Sequence, residues 1–466
     1  MNNHLGFRDR EIPPKSPDRY RITVVGDSFT WGQGIEAGER YSNLIGESLG
    51  PGYELFNFGQ PGNNMPEHLD VLQQALTVSP DFILLQLYIN DFETADMQRP
   101  QPYPLLPASL DRPKASAEAI THAAALLKNG KKTGLVLGNL ALHGEALDLA
   151  GRIAATTGAV LLSETFPSYH LARGEGRPPI EAIPYEFEVC VKFLEGLEQL
   201  IFVGALFPVA TFAYRNKPTL KSPPGCELYA MASAEQDLPA ALKGLAEATG
   251  ATTTVTPRQS RANAAAPTGA LNAEAIGQTL CMLMPDNAIL VDEGATNGPA
   301  IFEATRGARA HDYLNPVNGG AIGGGLPMAL GAAIACPDRK VVHLQADGSG
   351  MYTVQALWTM AREKTDIVIV LLKNDAYAIL GLEMARVREN ELNARMKSML
   401  ELGGPALDWV KIATGHGVPA TRATTAEEFH RQIEGALGAV GPHLIECQIV
   451  TPNEWGALED YVHRNR

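Results

Sequence analysis

Lys340-Val-Val-His-Leu-Gln-Ala-Asp347-Gly-Ser-Gly350, with Asn374-Asp-Ala-Tyr377 following 27 positions after the aspartate, is the stretch that decides the fold. Lys340 to Ala346 reads as an apolar strand that runs straight into Asp347. Met351 to Glu363 reads as a helix. Asp366-Ile-Val-Ile-Val-Leu-Leu reads as a second buried strand that leads to Asn374. This βαβ order places a carboxylate and an amide at the carboxyl ends of two parallel strands, where open α/β sheets bind ligands. Hard oxygen donors of this kind suit Mg²⁺, which takes a few protein oxygens beside those of a phosphate. Gly348 and Gly350 allow a diphosphate to approach the backbone at a helix start. An ordinary βαβ turn with an acidic cap has the same pattern, so the strands either side must support the reading.

The stretch resembles the thiamine-diphosphate signature of the acetolactate synthase and benzoylformate decarboxylase family. That signature is Gly-Asp-Gly-Ser, a spacer of about this length, then Asn-Asn. Ala346 stands in place of the first glycine and Asp375 in place of the second asparagine. Neither position supplies the expected metal side chains. Two further stretches match the family: Ala288-Ile-Leu-Val-Asp leading to Glu293-Gly-Ala-Thr-Asn297, and Asn318-Gly-Gly-Ala-Ile-Gly-Gly-Gly-Leu-Pro327. The resemblance covers about residues 113–452. It implies a multi-domain α/β protein of doubly wound parallel sheets.

Composition narrows the classes. Hydrophobic residues make up 45% and charged residues 19% of the 466, as in ordinary soluble enzymes. A formal charge of −14 with no basic patch argues against a nucleic-acid partner. The five cysteines (Cys190, Cys226, Cys281, Cys336, Cys447) are scattered, form no C-x-x-C pair, and point to reduced thiols in the cytoplasm. The N-terminus lacks the apolar core of a signal peptide. No run is long and apolar enough to span a membrane.

Three blocks and a tail are expected: 1–107, 113–258, 270–452 and 453–466. The first alternates strand and helix signals from Tyr20 onward and ends in the proline-dense Arg99-Pro-Gln-Pro-Tyr-Pro-Leu-Leu-Pro107, which no helix or central strand accommodates. The second opens with an amphipathic helix, Ser116 to Asn129, and the strand Thr133-Gly-Leu-Val-Leu137. Gly138 and Gly144 flank the turn after that strand, but their spacing is wrong for a dinucleotide fingerprint. Arg258 to Gly269, rich in Ala, Asn and Pro, reads as the linker to the third block.

Residue by residue, the resemblance implies a cofactor site for thiamine diphosphate and Mg²⁺. Asp347 and Asn374 would bind the metal through side-chain oxygens and Ala376 through its backbone carbonyl. Gly348 and Ser349 would contact the diphosphate, with Glu293, Gly294, Ala295 and Thr296 beside it. Tyr377 would border the cofactor. Ile322 aligns with the apolar residue that props the cofactor in its bent form, and the Gly320 carbonyl would accept from its amino group. Ile322 also reads as plain core packing, and the two roles are compatible. Tyr352, Tyr377 and His343 suit structural partners at least as well as catalytic ones. Family members carry a further N-terminal domain whose glutamate, in a His-Glu context, protonates the aminopyrimidine. No His-Glu pair occurs in Met1 to Pro113.

That region carries other motifs. Gly26-Asp-Ser28-Phe-Thr-Trp-Gly resembles the first motif of the SGNH (GDSL-type) hydrolases, whose serine is the nucleophile. Asn57-Phe-Gly-Gln-Pro-Gly62-Asn resembles the second motif and Tyr88-Ile-Asn90-Asp the third, implying Gly62 and Asn90 as oxyanion donors. Tyr88 stands where that family has glycine. The general base is missing from the block. The chain's one Asp-x-x-His is Asp460-Tyr-Val-His463, in a tail that also reads as a loose, solvated terminus.

The expected function is a thiamine-diphosphate- and Mg-dependent lyase or carboligase on 2-oxo acids, impaired alone for want of the pyrimidine-binding domain. The chain is expected to form a homo-oligomer, or to pair with a separate subunit that supplies that domain. The alternatives are an esterase using Ser28 and a non-catalytic fusion remnant.

Overall fold

The computed structural model describes residues 3–26, 28–32, 36, 39–61, 65–86, 112–167, 170–212, 214, 217–263, 265–316, 321–387 and 393–449. Side chains 28, 29, 65–67, 385 and 387 are outside that description. The chain forms two compact units, Met1–Leu110 and Asp111–Arg466.

In the first unit β1 (Tyr20–Gly26) lies between β2 (Tyr53–Gly59) and β3 (Phe82–Leu85), all parallel. The helices Tyr41–Leu49 and Met65–Leu76 connect these strands. Val25, Phe56, Phe58, Val71 and Phe7 form the core. A buried Arg21 is held by Glu54 (Nε to Oε1, 2.6 Å) and by the carbonyls of Val78 and Pro13, so its charge is fully partnered. β3 leaves Phe82 to Leu85 exposed on both faces.

The second unit contains two sheets. β4 (Thr133–Leu137), β5 (Val160–Ser163), β7 (Glu181–Ala182), β8 (Gln199–Val203) and β9 (Glu227–Ala232) form a parallel sheet in the order β7-β5-β4-β8-β9. At its switch point Gly138 and Gly204 meet so closely that a Cβ on Gly138 would lie 2.5 Å from the Gly204 carbonyl oxygen. Asn139 donates to that same carbonyl at 2.8 Å. Gly138 therefore serves backbone packing.

The larger sheet comprises β10 (Ala288–Glu293), β11 (His311–Leu314), β12 (Val341–Ala346), β13 (Ile367–Lys373), β14 (Ala420–Ala423) and β15 (His443–Gln448). Their order is β14-β15-β13-β12-β10-β11, all parallel. β6 (Leu171–Arg173) joins the far edge antiparallel to β11, although it comes from between β5 and β7 in sequence. β12 and β13 are almost wholly buried, as expected of parallel strands covered on both faces. Val342, Leu344, Val368 and Val370 face one core, and Val341, Ile367 and Ile369 face another beneath the helix Gly325–Ala335.

The helix expected over Met351 to Glu363 is divided. A four-residue turn, Asp347–Gly350, leads into a 3₁₀ turn, Met351–Thr353, and the regular helix is Ala356–Glu363. Two glycines weaken the first turn, and Thr353 Oγ1 donates to the Gly323 carbonyl at 2.7 Å, which ties the segment to a neighbouring loop.

His311 on β11 provides a pH probe of this sheet. It is buried, its Nδ1 lies 2.7 Å from the Arg309 carbonyl, and burial, with the nearby Arg173 charge, pulls its pKa down to about 4. The unfolded chain takes up a proton near 6.5 and the folded chain does not, so stability present above that pH is lost as pH falls toward 4. The span is worth about 3 kcal/mol. His311→Asn keeps a donor for Arg309 and cannot charge. Its stability relative to wild type should improve by about 2–3 kcal/mol between pH 7.5 and 4.5 in urea denaturation. An equal difference at both pH values would refute the assignment.

Candidate functional site

In the larger sheet the order reverses at β10. The chain goes first to β11 on one side and then to β12 on the other. The crevice beyond the carboxyl ends of β10 and β12 is thus the topological switch point, where ligands bind in such sheets. Glu293 ends β10 and Asp347 follows β12. Asn374 follows β13, the next strand over.

Asp347 is 2% exposed and Asn374 6%. Asp347 Oδ1 accepts from the Gly348 N–H at 2.9 Å, and Oδ2 accepts from the N–H groups of Asn374 (3.1 Å) and Asp375 (2.8 Å). Those bonds use three of the roughly four acceptor positions of a carboxylate, and leave one for a cation. Burial pushes the Asp347 pKa up to about 6, and the neighbouring Asp375 adds to this against the opposing pull of the backbone donors. The Asn374 side-chain oxygen accepts from the Ala376 N–H at 3.2 Å.

Asp375, the departure from the family pattern, has a left-handed backbone (φ +53°) and ion-pairs with the buried Lys373. Lys373 thereby balances the extra carboxylate. The turn that follows is tied down by Tyr377 N–H to the Leu400 carbonyl (2.8 Å) and Leu402 N–H to the Asp375 carbonyl (2.7 Å). The Tyr377 ring covers Gly348, where a Cβ would lie 2.5 Å from the ring edge. Glycine is therefore required at 348 by close packing of these two loops.

Ser349 accepts from Gln345 Nε2 at 2.7 Å, and Gln345 Oε1 lies 2.9 Å from His343 Nε2. Burial lowers the His343 pKa, so the ring is neutral and structural. Residues 343 and 345 share a strand face by the two-residue period of β12, the signal from which this pairing was legible. Sequence reasoning missed Gly350's neighbour, Trp409, which lies 2.8 Å from a Cβ placed there.

The second loop is built around Glu293. Its carboxylate accepts from the Gly323 and Gly325 N–H groups, so it anchors the glycine-rich loop at the start of the helix Gly325–Ala335. Gly294 N–H donates to Asp292 Oδ1 at 2.7 Å, and Tyr313 donates to Asp292 Oδ2 at 2.9 Å. This fixes the turn through Ala295, which is also left-handed (φ +50°), and Thr296. Non-glycine residues in that conformation cost free energy and gather where loops are held for a purpose. Ile322 is 46% exposed beside the crevice and is not packed in the core. Gly320 lies outside the described residues.

The structure thus brings together Asp347, Gly348, Ser349, Asn374, Ala376 and Tyr377 in one cluster. Glu293 to Thr296 and Ile322 border it through the Gly323–Gly325 loop.

Residues 299–447 match the family described as thiamine pyrophosphate enzyme, C-terminal TPP binding domain. This part of the chain is similar to the C-terminal domain of thiamine pyrophosphate enzymes. A Mycobacterium tuberculosis protein named as an acetolactate synthase large subunit, IlvX, is 41% identical over 331 residues, 71% of this chain and 63% of the relative. Benzoylformate decarboxylase of Pseudomonas aeruginosa is 35% identical over 183 residues, 39% of this chain and 33% of that protein. The chain therefore spans less than two thirds of these relatives' lengths. Its aligned part is similar to acetolactate synthases and benzoylformate decarboxylase. Among solved structures, the thiamine diphosphate-dependent 4-hydroxybenzoylformate decarboxylase of Rhodococcus jostii shares the fold. Its TM-score is 0.61 at 22% identity, with 92% of this chain and 87% of that one covered. The α/β, multi-domain reading stands on that likeness.

The N-terminal motifs fall in the first unit. Gln60 N–H donates to the Gly26 carbonyl at 3.0 Å, and the Gln86 N–H to Val25 at 2.8 Å. Gly59 packs so tightly against Trp31 that a Cβ would lie 2.2 Å from its backbone nitrogen. The carboxyl ends of β1, β2 and β3 therefore lie side by side, while Tyr88 to Asp91 of the third motif lie outside the described residues. The Ser28 side chain, Gly62, Asn90 and His463 lie outside the described residues. Among the described residues no cluster of three or more His, Cys, Asp or Glu side chains suits a metal ion, and no helix is long and apolar enough to cross a membrane. All five cysteines are free.

Proposed function

We propose that this chain binds thiamine diphosphate through Mg²⁺ at the ends of β12 and β13 and acts on 2-oxo acids as a lyase or carboligase of the acetolactate synthase type. The observation that carries the reading is the buried Asp347–Asn374 pair beside a glycine loop that only glycine can pack. These residues fit the group chemically. A buried carboxylate, an amide oxygen and the Ala376 carbonyl form a hard-oxygen set for Mg²⁺. Gly348 and Ser349, with Gly294 to Thr296, would meet the diphosphate, and Ile322 and Gly320 the bent ring system. Bound, the cofactor supplies an electron sink for a carbanion beside the former carbonyl. The chain's own residues bind, orient and exclude water. Calorimetric titration with thiamine diphosphate, with and without Mg²⁺, tests this directly, and absence of binding at millimolar cofactor would refute it.

On this reading 113–258 is the central domain and 270–452 the cofactor domain. The pyrimidine-binding role, with its glutamate, would come from a separate subunit, and the chain itself would form a homo-oligomer if no such subunit joins it. The exposed side chains of Ile322, Ile334, Met351, Tyr352 and Trp358 favour such a partner, because apolar surface in the neighbourhood of a cleft marks an interface. The cytoplasm suits its reduced thiols.

A second reading, an SGNH-type esterase using Ser28, is favoured by the adjacent strand ends of block 1–107. A serine without a base is a poor nucleophile. Hydrolysis of short acyl esters should therefore be weak or absent. Robust activity lost on His463→Ala would overturn that expectation, and labelling of Ser28 by a fluorophosphonate would locate it. A folded chain with neither activity would be a non-catalytic remnant.

A further inference from the structure

The helix Ala378–Val387 begins immediately after the Asn374–Tyr377 turn. Its first hydrogen bonds, from Leu380 (3.0 Å) and Gly381 (3.3 Å), go to the Tyr377 carbonyl. It also packs beside the turn Ala295–Asn297, on the opposite side of the crevice. Its position therefore bears on both loops of the cofactor site. Yet it belongs to neither sheet's covering core. Among its described side chains Leu382 is the one large apolar group that is buried, and Leu380 is exposed.

A polar clamp holds it instead. Glu383 accepts from the Tyr185 hydroxyl at 3.1 Å, from the Tyr214 hydroxyl at 2.6 Å and from Arg386 Nη1 at 2.6 Å. The Glu383 side chain is 12% exposed and that of Arg386 5%. A carboxylate so far removed from water needs its partners. Both tyrosines come from the central segment, and both are fixed from behind. The buried Lys221 donates to the Pro184 and Tyr185 carbonyls at 3.2 and 3.3 Å. Lys217 lies over the rings of Phe187 and Tyr214 and pairs with Glu188. Phe166 packs on Tyr185. Burial and the Glu383 charge push both phenols above their ordinary pKa, Tyr214 to about 12, so each remains a donor at neutral pH.

We propose that Tyr185 and Tyr214 are positioning residues of the cofactor site: by holding Glu383 they keep the helix Ala378–Val387 docked, and with it the turn that presents Asn374, Ala376 and Tyr377. This rests on the cofactor reading above. When a docked arrangement is only partly populated, apparent ligand affinity falls by that fraction. Leu382 is its one fully buried large apolar side chain, with Ile379 and Met384 half-buried, so loss of two hydrogen bonds to a charged group shifts the population.

The test compares wild type with Tyr185→Phe/Tyr214→Phe and with Glu383→Gln, whose amide oxygen still accepts. Amide hydrogen exchange in ligand-free protein reads the helix 378–387 against the neighbouring strand 367–373. Titration of thiamine diphosphate at saturating Mg²⁺ reads the site. In the double variant, helix exchange should rise and cofactor affinity fall, each about tenfold, with strand exchange unchanged. Glu383→Gln should fall between the two. Unchanged helix exchange, or a loosened helix with unchanged cofactor affinity, would overturn the proposal. If the double variant does not fold, Tyr214→Phe alone carries the same two readouts. No binding by wild type would overturn the cofactor reading and the positioning role with it, whereas helix exchange in the variants still reports the clamp itself.

Discussion

Asp347→Asn is expected to abolish the rise in melting temperature that thiamine diphosphate and Mg²⁺ together give the wild-type chain. A ligand at a hundred times its dissociation constant stabilises the native state by about 2.7 kcal/mol, which should amount to a shift of several degrees. Loss of that shift is informative only if the variant is folded. The raised pKa of Asp347, about 6 against 3.8 for the free side chain, supplies the control. In the ligand-free chain the folded state disfavours its anion. Stability from this group is therefore highest at low pH and falls as pH rises through about 4 to 6. Neutralising it relieves a cost on the order of 3 kcal/mol at pH 7. The ligand-free asparagine variant should thus melt no lower than wild type while losing its response to Mg²⁺ and cofactor. A retained shift would remove Asp347 from the metal set. A lower melting point would show that the folded chain does not disfavour the Asp347 anion.

The second large effect concerns turnover. The isolated chain should decarboxylate pyruvate about 10²–10⁴-fold more slowly than full-length relatives, the usual worth of one general acid–base group. No His-Glu segment is present in Met1 to Pro113 to supply the glutamate that the family uses. Glu293 does not substitute, because its carboxylate is engaged by the Gly323 and Gly325 N–H groups and releasing it would free the glycine loop. Adding a subunit that carries a His-Glu segment should restore the rate. Turnover typical of the family by the chain alone would show that another carboxylate has taken the role.

Much of the cofactor end was legible because strand burial, glycine spacing and hard-oxygen residues all point to one place. β12, β13 and the Asp347–Asn374 pairing follow from two apolar runs and their lengths. What was not legible depends on partners distant in sequence. Nothing near Glu293 announces that it would tie Gly323 and Gly325 and so serve the loop more than the diphosphate. Nothing near Asp375 except Lys373 hints that its charge is balanced. The continuous helix expected from Met351 breaks because Thr353 bonds a carbonyl 30 residues earlier. Nothing near Glu383 announces the Tyr185 and Tyr214 hydroxyls that reach it from the other sheet's segment.

The strand Leu171–Arg173 has a consequence for how this chain comes into being. It is made early, among the strands of the smaller sheet, yet its pairing surface is β11, whose first residue is His311. Arg173 reaches Thr305 at 2.9 Å and stacks on Phe302, both further along the chain. On a ribosome the smaller sheet would emerge with this strand still unmatched, and its buried arginine would have no counterpart until well over a hundred more residues had appeared. The smaller sheet's segment is therefore completed only by residues of the larger sheet. Contacts of such sequence separation slow folding, and a strand left waiting in this way is exposed to mispairing.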